Sequence, residues 1–174
     1  ETLGIGQTYN SQVHHSATGS STFEHLTAGP TTLLDPTGEG TVGSAVKDSA
    51  IVAAARAAGI PVETVPQLVA IAGDSNSKAQ TEAKTILRER AVVLGEAVSS
   101  LVGLFNPTRV VLGGQAFNDY PDTLNLIASL IHQNSTDVDI RVTAARERVQ
   151  QQAAAAVAIT AVAYDPLHAV EGAR

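Results

Sequence analysis

The stretch Arg109-Val110-Val111-Leu112-Gly113-Gly114 constrains this chain more than any other. A short apolar run closed by two glycines favours a buried strand that meets a tight turn. Asn106-Pro107-Thr108 precedes it and stops a helix, because proline lacks the N–H that a further turn needs. Residues 121–131 follow with helical spacing. A strand, a glycine turn and a helix make half of a parallel α/β unit. With no side chain in the way, such a turn can bring backbone N–H groups close to a phosphate or a sugar.

The rest of the chain is arranged around that unit. Residues 79–105 predict the longest helix. Ala83, Ile86, Leu87, Leu94, Ala97, Val98, Leu101, Val102 and Phe105 recur in steps of three and four, as one buried face requires. Arg88, Glu89, Arg90 and Glu96 then fall mostly on solvated faces. Residues 140–143 alternate and predict a strand beside Val110-Val111, with an alanine-rich helix over 150–164 after it. Upstream, residues 1–21 predict loop or short strand, and Pro30 opens a helix after Gly29. Asp35-Pro36-Thr37-Gly38-Glu39-Gly40 is a turn cluster. A single helix spans 42–58 and stops at Gly59. Thr64 caps a short helix over 65–72 that Gly73 ends. This order implies a parallel sheet with a right-handed crossover and helices packed on it. One domain is expected, with a helical subregion from residue 23 to 73.

With 174 residues, 44% of them hydrophobic, the chain can bury a core. A net charge of −6 leaves this segment no electrostatic footprint for DNA or an anionic membrane. There is no cysteine, so disulfides and thiolate metal sites are excluded. No apolar run reaches the roughly 18–20 residues that span a bilayer, and no signal peptide opens the chain, so a soluble cytoplasmic protein is expected. The abrupt opening Glu1-Thr2-Leu3-Gly4, without a methionine, predicts a fragment of a longer protein.

Residues 87–117 resemble the ROK family of repressors and sugar kinases. The match is a long helix, then Leu104-Phe105-Asn106-Pro107, then Val110-Val111-Leu112-Gly113-Gly114. Ile140-Arg141-Val142-Thr143 and residues 148–163 resemble the family's final strand and alanine-rich helix. Phe23-Glu24-His25-Leu26-Thr27-Ala28-Gly29-Pro30 resembles the segment just after its zinc loop, where Leu-Glu precedes a small-residue stretch. Arg141-Val142-Thr143, followed by Val149-Gln150-Gln151-Gln152-Ala153, is most similar to actinobacterial regulators of the family. The resemblance implies the C-terminal lobe of an actin-like ATPase (ribonuclease H-like) fold, a small sheet packed by long helices. It implies that a winged helix-turn-helix and the first lobe precede residue 1. The family's catalytic Asp and its phosphate loop belong to that first lobe, so no catalytic residue is expected here.

Departures from the family matter as much. Its structural zinc is held by one His and three Cys, and residues 1–24 hold no cysteine. His14, His15 and His25 are expected as loop histidines, with the zinc site lost. If Gly6-Gln7 aligns with the family's Gly-His pair, the sugar-contacting His is gone too; a shift of two residues would place Gly4-Ile5 there.

Four ligand-binding candidates remain. Glu24 could hold a sugar hydroxyl, as the family's matching Glu does, or be an exposed helix-entry carboxylate. Gly113 and Gly114 could cradle a nucleotide, or could be glycines that a strand-to-helix turn requires. Gln115 could bond a ligand or be a solvated polar residue. The resemblance implies the effector-binding and oligomerising part of a transcriptional regulator. Its DNA contacts would lie outside this chain, and its effector would be a sugar or sugar phosphate. The alternatives are a lobe of a sugar kinase that uses ATP, and an interaction module that binds no small molecule.

Overall fold

The computed structural model describes residues 3–9, 12–14, 22–118, 120–134 and 137–143. The helix expected over 150–164 lies outside them. Strands β1 (Gln7–Tyr9) and β2 (Gln12–His14) pair antiparallel. Helices α1 (Val42–Val46), α2 (Asp48–Ala57), α3 (Val65–Gly73) and α4 (Gln80–Phe105) follow. Then come β3 (Arg109–Leu112), α5 (Gln115–Asn118), a 3-10 turn Pro121–Thr123, α6 (Leu124–Asn134) and β4 (Asp139–Val142). β3 and β4 are parallel, with Val110 opposite Ile140 and Leu112 opposite Val142.

The long helix is the spine. At 26 residues it is roughly 39 Å long. Ile86 and Leu94 are fully buried along it, and α6 sets Ile127 and Ile131 against it. On its other sides α2 contributes Ile51 and α3 contributes Leu68. The α4–α6 contact is the most extensive and is built on small residues. Gly95 is buried, and a Cβ there would meet Leu130 Cδ1 at 2.7 Å and Ile127 Cα at 3.4 Å. One turn on, Ser99 Oγ donates to the Leu130 carbonyl at 3.0 Å. The helix ends at Asn106, which adopts the left-handed conformation (φ 43°) and sends its N–H to Val102 O. Pro107 then prevents any continuation.

Several local expectations hold. Thr64 caps α3, with Gln67 reaching back to complete a capping box. Gly59 ends α2 at φ 78°: its N–H reaches Arg56 O, and the Ile60 N–H reaches Ala55 O, a Schellman ending. Asp35 organises the turn cluster by accepting the N–H groups of Glu39 and Gly40.

Three expectations fail. The helix expected over 42–58 is broken at Lys47, whose ψ of 148° is extended. The break is tertiary in origin: Arg90 of α4 donates to Val46 O at 3.0 Å and to Asp48 Oδ1 at 2.9 Å, fastening the chain on both sides of Lys47. Arg90, expected in solvent, is therefore buried, at 7% side-chain exposure. The helix expected from Pro30 does not form either. Glu89 of α4 accepts the N–H groups of Thr32 at 2.6 Å, Leu33 at 2.8 Å and Leu34 at 3.4 Å, and the Thr32 hydroxyl at 2.8 Å. A distant carboxylate takes these donors, and residues 31–34 run as a strap along α4.

The strap makes Glu89 sensitive to acid. Burial pushes its carboxyl up, but the bonds from Leu33, Thr32 and Leu34 outweigh that and hold it below the ordinary 4.5. A lowered folded-state pKa stabilises the fold fully above 4.5, and the contribution is lost as pH falls through the folded value. Glu89→Ala is expected to cost about 1–2 kcal/mol at neutral pH, discounted because water reaches the strap. Denaturation of both proteins should show that difference shrinking below pH 4.5.

Candidate functional site

Glu24 lies in a turn, so the helix-entry alternative is set aside. The turn is fixed by the N–H of Leu26 on Phe23 O, and by the N–H of Gly43 on the Glu24 carbonyl at 2.8 Å. Gly43 is required here, since a Cβ would sit 2.9 Å from Glu24 Cβ. The carboxylate is half-buried and both oxygens are occupied. Oε1 accepts the Leu3 N–H at 3.0 Å, and Oε2 pairs with Lys47 Nζ at 3.0 Å. Leu3's N–H first, then the Lys47 ammonium, hold this carboxyl below its usual value, with His25 adding a smaller attraction.

The Gly113-Gly114 turn lies at the C-terminal end of β3, and both glycines are exposed. Each has a structural reason. Gly114 has φ 108°, which side chains with a Cβ rarely adopt. A Cβ on Gly113 would lie 3.0 Å from Thr143 Oγ1. That hydroxyl is buried and has no hydrogen-bond partner. Asn118 locks the turn: its Nδ2 donates to Gly114 O at 3.0 Å and to Thr143 O at 2.9 Å. Gln115 opens α5 and lines a void of about 10 Å³ with Arg90, Ala91, Ala116, Tyr120 and Thr123. Burial there, with Asp122 adding to it, pushes the Tyr120 phenol up. That space holds about one water at most.

Glu24 is thus not in contact with Gly113, Gly114 or Gln115. Lys47, which pairs with Glu24, and Arg90, which lines the void with Gln115, were not marked as functional by the sequence. Asp48, an acidic residue in the first turn of α2, is the signal that could have revealed a second helix start. A further concavity, also unmarked, is an open groove of about 550 Å³ between α2 and α3, floored by Val52, Ala53, Val65 and Pro66.

The family's zinc does not fit these residues. The chain has no cysteine, and the Lys47 ammonium beside Glu24 would repel a cation. Among the described residues, no three His, Cys, Asp or Glu side chains come together as a metal site, and no helix is long and apolar enough to cross a membrane.

No family model matches the chain. It is 35% identical, over 98% of its length, to proteins named transcriptional regulator Mb0495 of Mycobacterium bovis and transcriptional regulator Rv0485 of Mycobacterium tuberculosis. The chain spans 40% of the length of these relatives. Its structure is similar to a ROK family transcriptional regulator, a homologue of the Escherichia coli Mlc protein, with TM-score 0.61, 22% identity, and coverage of 81% of this chain and 39% of that one. It is also similar to the ROK hexokinase of Thermus thermophilus, with TM-score 0.67, 20% identity, and coverage of 84% and 50%. The fold is therefore that of the ROK proteins, an actin-like lobe with a small parallel sheet. The resemblance carried by the Asn-Pro break, the strand and the glycine pair is borne out.

Proposed function

We propose that this stretch of a ROK-fold protein is the C-terminal, effector-binding and oligomerising lobe of a cytoplasmic transcriptional regulator. The observation that carries the reading is the 35% identity, over nearly the whole chain, to proteins named transcriptional regulators. DNA would be bound by a winged helix-turn-helix in the part of the protein outside this chain. The net charge of −6 fits that division, since this lobe would repel phosphates. The effector is a sugar or related metabolite, with Glu24 accepting from a hydroxyl and Gly113, Gly114 and Gln115 offering backbone and amide groups. Binding shifts the population of DNA-competent arrangements by its differential affinity for them. No structural zinc is held.

The test is a thermal-shift screen of the intact protein against hexoses, hexose phosphates and nucleotides. A sugar or sugar phosphate is expected to raise Tm in the wild type and to lose that effect in Glu24→Gln. At a hundredfold excess over Kd the stabilisation is about 2.7 kcal/mol. Absence of any shift, or an equal shift in the variant, rejects the site. One observation favours a second reading, a sugar-kinase lobe: the hexokinase has the higher TM-score. ATP-dependent phosphorylation of a hexose by the intact protein would select it.

A further inference from the structure

The two candidate regions are bridged by an ion pair, a backbone joint and a shared small space. Lys47 reaches Glu24 with its side chain, while its neighbours Val46 and Asp48 hold the Arg90 guanidinium. Arg90 in turn lines the small void that it shares with Gln115, Ala116 and Tyr120. We propose that Arg90 couples the Glu24 carboxylate to the Gly113-Gly114-Gln115 turn through the Lys47 joint. The proposal takes its purpose from the effector-site reading, but its contacts stand without a ligand.

The physical basis is an asymmetry in freedom. The Lys47 side chain is 43% exposed, so a ligand group that takes Glu24 Oε2 can release the ammonium to water at little cost. The joint it leaves is not helical, with ψ 148° between two helices, and can move where a continuous helix could not. Arg90 has no such freedom: its planar fork is buried and grips acceptors on both sides of the joint. When Val46 O and Asp48 move, the guanidinium has to follow. Beyond it, Arg90 packs against the small space that Gln115, Ala116 and Tyr120 also line, so its displacement reaches the side chains of the turn.

Amide hydrogen exchange in the intact protein, without ligand, tests this. The variants are Lys47→Gln, which breaks the pair with Glu24, Asp48→Asn, which weakens the grip on Arg90, and the double variant. Lys47→Arg, which keeps the pair, is the control for lost packing. Lys47→Gln is expected to change exchange over residues 113–118 about threefold or more, with Lys47→Arg close to wild type. The double variant should fall short of the product of the single effects, because both act through one guanidinium. Faster exchange at residues 42–52 with none at 113–118 overturns the coupling and leaves a ligand role for Glu24 standing. No change in either segment overturns it as well, since Lys47 would then not hold the joint. Independent, multiplicative effects would show that the route does not pass through Arg90.

Discussion

Replacing Gly95 with valine is expected to lower the stability of this lobe by about 2–4 kcal/mol, at and somewhat above the usual cost of overpacking a core. Glycine inside a helix ordinarily costs roughly 0.5–1 kcal/mol relative to alanine, so filling the position would normally help. Here the space belongs to α6. The first added carbon meets Leu130 Cδ1 at 2.7 Å, Leu130 Cβ at 3.2 Å and Ile127 Cα at 3.4 Å. The Cδ1 atom can rotate aside, but the Ile127 contact is backbone, and valine adds two methyls to it. The helices must separate, and Ile127 and Ile131, both fully buried, lose contact with α4. Gly103 is the internal control. It lies on the same helix, and a Cβ there meets nothing within 4 Å. Gly103→Ala should therefore stabilise by about 0.5–1 kcal/mol. Thermal or denaturant unfolding of both variants checks the pair, and a Gly95→Val protein as stable as Gly103→Ala would refute the close packing of α4 on α6.

The elements that sequence reasoning located are those whose causes are local. The Asn106-Pro107 break, the apolar run 110–112 and the glycine pair each act within a few residues, and the strand falls where expected, though it is not buried as expected: only Leu112 is buried and Val111 is exposed. The same holds for α4, whose buried face repeats along its own turns, and for Thr64, whose partner Gln67 is three residues away. What was not legible is set by partners far along the chain. Lys47 breaks a helix without any proline or glycine, because Arg90, 42 residues away from Asp48, holds its neighbours. The strap at 31–34 is irregular because Glu89, some 55 to 57 residues distant, claims its N–H groups. The site divides the same way. Gly113 and Gly114 could be named as a turn, but the occupation of Glu24 by Lys47 depends on two loops meeting, and no spacing encodes it.

Arg90 offers the second large effect. In Arg90→Met the apolar stem is kept and the guanidinium is lost, leaving Val46 O without the donor at 3.0 Å and Asp48 without its partner. Breaking a fully buried ion pair typically costs about 3–5 kcal/mol. The cost here is smaller, because Asp48 is 46% exposed and water can solvate it once Arg90 is gone. The buried carbonyl has no such relief, and an orphaned acceptor costs roughly 1–3 kcal/mol. Together these give an expected loss of about 2–4 kcal/mol. Asp48→Asn keeps the carbonyl bond and an oxygen for the guanidinium, so it should cost less than about 1 kcal/mol. Arg90→Lys should fall between them: one ammonium can reach either acceptor, but it cannot span both as the fork does. Denaturant unfolding of the three variants should give the order Met, then Lys, then Asn, from most to least damaging. If Asp48→Asn were as harmful as Arg90→Met, the exposed ion pair, and not the buried carbonyl bond, would be what holds α1 and α2 to the long helix.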